Sequence, residues 1–104
     1  MIRRQAIFFG KVKSGEWPAM RRYVESDLAP LWRDFTGATS VQILFNEDHG
    51  ADAPLVLSID YETQSAIDQA MNSSARFKSR DLLPAFYKRF FEKVTLTHYQ
   101  FEIT

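Results

Sequence analysis

The segment from Val41 to Tyr61 limits most sharply what this chain can fold into. Its two apolar runs, Val41-Gln-Ile-Leu-Phe45 and Leu55-Val-Leu-Ser-Ile-Asp-Tyr61, are rich in the branched and aromatic residues that favour strands. Between them Asn46-Glu-Asp-His-Gly-Ala-Asp-Ala-Pro54 supplies the Asn, Asp, Gly and Pro that reverse a chain. A helical pattern precedes this hairpin, another follows it, and strand-like segments lie towards both ends. The order β-α-β-β-α-β predicts a ferredoxin-like α+β fold with a four-stranded antiparallel sheet. One such unit uses all 104 residues as a single domain.

Ala6 to Lys13, with Ile7, Phe8, Phe9 and Val12, reads as the first strand, and Ser14-Gly15 ends it. Pro18 suits a first helical turn, where a missing N–H leaves nothing unpaired. Trp17, Met20, Val24, Leu28, Leu31 and Phe35 then recur at helical spacing, with a kink or restart expected from Asp27 to Pro30 and a stop at Gly37. Thr63 is placed to cap a short helix carrying Ala66, Ile67, Ala70 and Met71. After Asn72-Ser-Ser-Ala75, helical spacing resumes from Arg76 to Lys93, and Pro84 is expected to begin a separate piece. Val94 to Ile103 alternates as a last strand, with Thr95, Thr97, Tyr99, Phe101 and Ile103 on one side and Val94, Leu96, His98, Gln100 and Glu102 on the other.

In such a fold both helices cover one sheet face, and the other face of a monomer meets water. These strands are apolar on both sides: Val41, Ile43 and Phe45 oppose Leu44, and Leu55, Leu57 and Ile59 oppose Val56. The expectation is a homodimer whose second copy covers the open face.

Charge and cysteine content exclude several function classes. Lys plus Arg and Asp plus Glu number 13 each, so no basic footprint points to nucleic acid. With no cysteine, thiolate catalysis and Cys-ligated metals are out. The apolar cluster after Arg3-Arg4 is too short for a signal-peptide core, and no run approaches a membrane span, so a soluble cytoplasmic protein is expected. No phosphate-binding glycine loop and no Ser-His-acid arrangement is visible. The His49 loop lacks zinc or calcium ligand spacing, and no metal is expected.

Three segments carry a resemblance: Gly15-Glu-Trp17, Leu28-Ala-Pro-Leu-Trp32 and Thr36-Gly-Ala-Thr-Ser-Val-Gln-Ile-Leu44. Together with the step Tyr61-Glu-Thr63 into the second helix, they make the chain similar to the dimeric α+β barrel superfamily, closest in layout to antibiotic-biosynthesis-monooxygenase-like proteins. The resemblance covers nearly the whole chain and is one of pattern. It implies a dimer and, among known activities, cofactor-independent oxygenation or haem degradation. The chain departs from the family pattern in carrying Tyr61 where Trp is common and Ile59 where an acid is common. Gln69-Ala-Met71 also lacks the histidine that many members hold in the second helix, which removes the expected iron ligand of a haem-degrading member.

The chemistry-bearing candidates are few. Tyr23, Trp32, Tyr61, Tyr87 and Tyr99 each join an apolar body to a polar tip, and lining a pocket between helices and sheet they would suit a small apolar, aromatic or polyketide-like molecule. Each taken singly reads first as core or interface packing. Asn46, Tyr61 and His98 are the candidates for hydrogen bonding to a substrate anion in a cofactor-independent monooxygenase, although His98 by itself reads first as a hydrogen-bonded strand histidine. Arg76-Phe-Lys-Ser-Arg80 and Lys88-Arg89 read as the solvated side of a helix that could draw in an anionic ligand. The alternative to an enzyme is a non-catalytic ligand-binding or interaction domain whose barrel serves dimerisation.

Overall fold

Strand β1 (Ile2–Val12) is the centre of the assembly, because it pairs on one side with β3 (Leu55–Tyr61) and on the other with β4 (Phe91–Glu102). Adding β2 (Ala38–Phe45) outside β3 gives the order β2-β3-β1-β4, with every pairing antiparallel. In this computed structural model, which describes residues 1–104, that is the ferredoxin-like sheet. No helix is long and apolar enough to cross a membrane.

The first helical stretch has three parts: α1 (Trp17–Tyr23), a π-helical turn (Val24–Leu28) and α2 (Ala29–Arg33). Pro18 and Pro30 each occupy a first turn, where no N–H is required. The wide turn is closed by Ala29, whose N–H donates to the Val24 carbonyl, so the expected restart before Pro30 takes the form of one extra residue per turn. Met20, Val24, Leu28, Ala29 and Trp32 are buried along this stretch.

Thr63 caps α3 (Gln64–Met71) by accepting the Ala66 N–H at 3.1 Å, and Ser73 caps α4 (Ser74–Phe90) by accepting the Arg76 N–H at 3.3 Å. Two expectations are corrected here. Pro84 lies inside a continuous α4 and begins no new helix, and α4 ends at Phe90, where the chain passes directly into β4. The first strand also starts at Ile2, four residues before its expected start.

All the helices lie on one face of the sheet. Ala6, Phe8, Leu55, Leu57, Ile59 and Tyr61 point towards them and join Met20, Leu28, Trp32, Ile67, Phe86 and Phe90 in one core. Phe86 is its hub, stacked on Tyr23 at 5.4 Å and edge-on to Phe8 and Phe91. Full burial of each large apolar side chain is worth roughly 1.5–3 kcal/mol. The opposite face carries Leu44, Tyr99 and Phe101, all exposed, and the half-buried Ile7, Phe9 and Val56. At one end the Arg3–Asp60 ion pair, 2.8 Å long, crosses between β1 and β3.

Gly10 sets the path of β1 where β4 begins. Its φ of +152° suits glycine, and a Cβ there would lie 2.0 Å from the Lys93 carbonyl oxygen. The β1–β4 register shifts just beyond it, between Lys11 and Val12.

Candidate functional site

Strand alternation sends Arg4, Ala6 and Phe8 of β1 to the helix side, and the register sets Gln100 beside Arg4, His98 beside Ala6 and Leu96 beside Phe8. On the other flank, Ile59 lies beside Arg4 and Leu57 beside Ala6. Helix α4 does not close fully over this part of the sheet. A cavity of about 100 Å³ remains, roofed by Trp32 and Phe35 and by Met71, Arg76, Ser79, Arg80 and Leu83. Its floor is Ala6, Phe8, Leu57, Ile59 and Leu96, with Arg4, Tyr61 and His98 as polar groups. Other concavities, such as the one of about 450 Å³ between Arg21 and Phe45, are wider surface grooves.

Tyr61, which lines the cavity, carries the one buried side-chain polar atom of the protein that has no hydrogen-bond partner, its hydroxyl. Tyr61 is fully buried, and burial pushes its pKa up to about 12, with Arg4 pulling the other way. It is therefore an un-ionised donor at neutral pH. Burial lowers the His98 pKa below its ordinary 6.5, and the positive charges of Arg4 and Arg76 lower it further, so the imidazole is neutral at pH 7. Arg4 is itself disfavoured in its charged form, first by burial and then by Arg76. Its Nη1 donates to Gln100 Oε1 at 3.0 Å, and Gln100 in turn donates to Gln64. The site thus combines apolar walls, one free hydroxyl, a neutral imidazole and excess positive charge.

Of the residues singled out from sequence, Trp32, Tyr61 and His98 line this cavity, and the other four lie elsewhere. Asn46 holds the hairpin loop, donating to the Ala53 carbonyl at 3.1 Å and accepting the Asp48 N–H at 2.9 Å. Tyr23 is packed between Phe86 and Phe90, and Tyr87 lies edge-on to Phe8 and Phe91. Tyr99 stacks on Phe101 at 6.2 Å on the open sheet face. The arginines were not singled out as site residues. Alternation along β1 carried the signal for Arg4, since it shares a face with Ala6 and Phe8, and Arg76 one turn before Arg80 lay in what reads as a solvated helix side.

No protein-family profile matches the chain, and no curated relative matches it. Solved structures do. An ethyl tert-butyl ether (EthD) family protein from Bacillus halodurans superposes with a TM-score of 0.71 at 18% identity, covering 99% of this chain and 100% of the other. A cofactor-independent oxygenase from Streptomyces nogalater gives 0.65 at 17% identity, covering 99% and 92%. A DABB family protein with a ferredoxin-like fold from Mesorhizobium loti gives 0.66 at 15% identity, covering 94% and 93%. The chain therefore shares the ferredoxin-like α+β fold of these proteins and of antibiotic-biosynthesis-monooxygenase-like structures.

Proposed function

We propose that this protein binds a small apolar or aromatic molecule in the cavity beneath α4, and that it oxidises it as a cofactor-independent monooxygenase. The observation that carries the reading is the unpartnered hydroxyl of Tyr61, a residue that lines a largely apolar cavity edged by arginines and His98. Leaving a buried hydroxyl unpaired costs about 1–3 kcal/mol, a cost that a ligand oxygen accepting its proton relieves. The similarity to a cofactor-independent oxygenase supports the same reading at the level of fold.

In that reaction the substrate supplies the electrons. An activated CH₂ flanked by conjugated groups loses a proton, and its anion reacts with O₂. One oxygen atom stays on the carbon as a carbonyl, and the other leaves as water. Tyr61 donates a hydrogen bond to the substrate oxyanion, and neutral His98 accepts the proton. The apolar walls keep bulk water from the carbanion. Asn46, proposed from sequence for the same task, is committed to the hairpin loop and is left out of this scheme.

The open sheet face, with Leu44, Tyr99 and Phe101 exposed, supports a homodimer in which a second copy covers it. A second reading, a ligand-binding or interaction domain without catalysis, is favoured by the cavity's volume of about 100 Å³, tight for both a polyketide-like substrate and O₂.

The test is thermal unfolding against hydroxylated aromatics, quinones, fatty acids and haemin, followed by oxygen uptake with any compound that stabilises the fold. A ligand of the native state at a hundred times its Kd adds about 2.7 kcal/mol. Stabilisation with oxygen uptake supports the oxygenase, stabilisation without uptake supports a ligand-binding domain, and no stabilisation rejects the small-molecule site and leaves the interaction domain.

A further inference from the structure

We propose that the ligand is a small aromatic carboxylate, with its anionic head between Arg4 and Arg76 and its ring against Phe8 and Trp32. This rests on reading the cavity as a small-molecule site and names the class of molecule it takes.

The first support is an imbalance of charge. Three arginines line the cavity, and no aspartate or glutamate does. Arg80 has Asp81 beside it at 3.6 Å, and elsewhere Arg3 is paired with Asp60 and Arg21 with Glu25. Arg22, Arg33 and Arg89 have no acidic partner, but each is exposed and solvated. Arg4 and Arg76 are half-buried without one. The only side-chain hydrogen bond of Arg4 goes to the neutral amide of Gln100, and the guanidinium of Arg76 makes none within the chain. Two half-buried cations without a counter-charge, with Arg76 near enough to disfavour the charged form of Arg4, are stabilised by an anion placed between them.

The second support is the match of donors. A guanidinium presents N–H groups in a planar fork that fits the two oxygens of a carboxylate. Arg4 retains most of its donors, Arg76 retains all of them, and the Tyr61 hydroxyl offers one more. The third support is size. An apolar cavity of about 150 Å³ holds one benzene ring. A cavity of about 100 Å³ is smaller than that, so it takes no more than a single ring, whose charged head lies beside the arginines, and excludes a fused polycycle.

The experiment is calorimetric titration of the full chain with benzoate and with benzamide, which has the same shape and no charge. Benzoate is expected to bind saturably and at least tenfold more tightly than benzamide, and to weaken as salt is raised. Arg76→Gln and Arg4→Gln should each lower benzoate affinity tenfold or more and leave benzamide unchanged, while Arg76→Lys should keep part of the preference. The lysine variant and the two separate glutamine variants guard against one substitution that merely disturbs the fold. Equal binding of the two probes, or glutamine variants with unaltered benzoate affinity, overturns the carboxylate assignment and leaves the small-molecule site standing. Failure of benzoate, benzamide and every compound of the wider panel to bind overturns both.

Discussion

Trp17 and His49 lie face to face, ring centroids 3.8 Å apart and planes 5° from parallel. The stack ties the hairpin loop between β2 and β3 to the start of α1, a link between segments 32 residues apart that no spacing rule reveals. Aromatic pairs of this kind contribute about 0.5–1.5 kcal/mol beyond burial. His49→Ala should therefore lower unfolding stability by about 1 kcal/mol and speed amide exchange in residues 47–53, with the cavity's ligand affinity unaltered. Exchange that stays as slow as in the parent chain would show that Asn46 and the loop's own turns hold the hairpin without the stack.

Tyr61→Phe separates a binding role from a structural one by sign. A hydroxyl whose hydrogen bonds hold the core destabilises the protein when removed, but this one is buried and unpartnered. Its loss should leave stability unchanged or raise it by about 1 kcal/mol, while ligand affinity and any oxygen uptake fall. Urea unfolding beside ligand titration reads both quantities. A clear drop in stability would mean that the hydroxyl has a partner within the fold.

His98 should impose a pH dependence on stability. Its pKa in the fold lies below its ordinary 6.5, so the unfolded chain binds the proton more readily. The resulting stability is complete above about pH 6.5, and is lost as pH falls from there through the folded-state pKa. His98→Gln should flatten that part of the curve and leave the acid limb, where Asp60 with its pKa held down by Arg3 takes up a proton, in place. Unfolding midpoints measured from pH 7.5 down to about pH 2 cover both limbs and give the comparison.

The open sheet face gives a test of assembly. Phe101→Glu places a charge beside Tyr99 on the face that also exposes Leu44, without touching the helix-side core. Sedimentation should find the parent chain dimeric and the variant monomeric, with matching far-ultraviolet spectra. A monomeric parent at micromolar concentration would rule out the second copy.

Gly10→Ala forces a methyl group against the Lys93 carbonyl at a φ that L residues rarely adopt. It should cost about 3 kcal/mol or more, measured by chemical unfolding.

The sequence carried the hairpin, the Thr63 cap and the two-sided alternation of β4, because each depends on neighbours within a few residues. It pointed to Trp32, Tyr61 and His98 by residue chemistry, whereas bringing them into one cavity depends on strand register, which joins positions up to about 90 residues apart. Asn46 was misplaced for the same reason: its polar tip is spent locally, on Ala53 and Asp48. A stripe at every third or fourth position along the first helix selects Leu31, yet Trp32 is the more deeply buried. The wide turn from Val24 to Leu28 explains the change, since apolar residues four apart drift about 40° around a regular helix and the extra residue takes up that drift. Pro84 misled because a proline inside a helix ordinarily ends it, and here α4 continues through it.

That wide turn also determines where the chain can change its length. It holds one residue more than an α-helical turn, and Glu25, Ser26 and Asp27 within it are exposed. Deleting one of them lets the backbone close into regular α-helix while Trp32 keeps its bearing over the cavity. The same deletion in the middle of α4 would swing Phe86 and Phe90 by about 100° relative to the residues before them, off the sheet they cover. Among the helices that cover the sheet, a one-residue deletion is thus accommodated on one side of the cavity, the side whose helix carries no arginine into it.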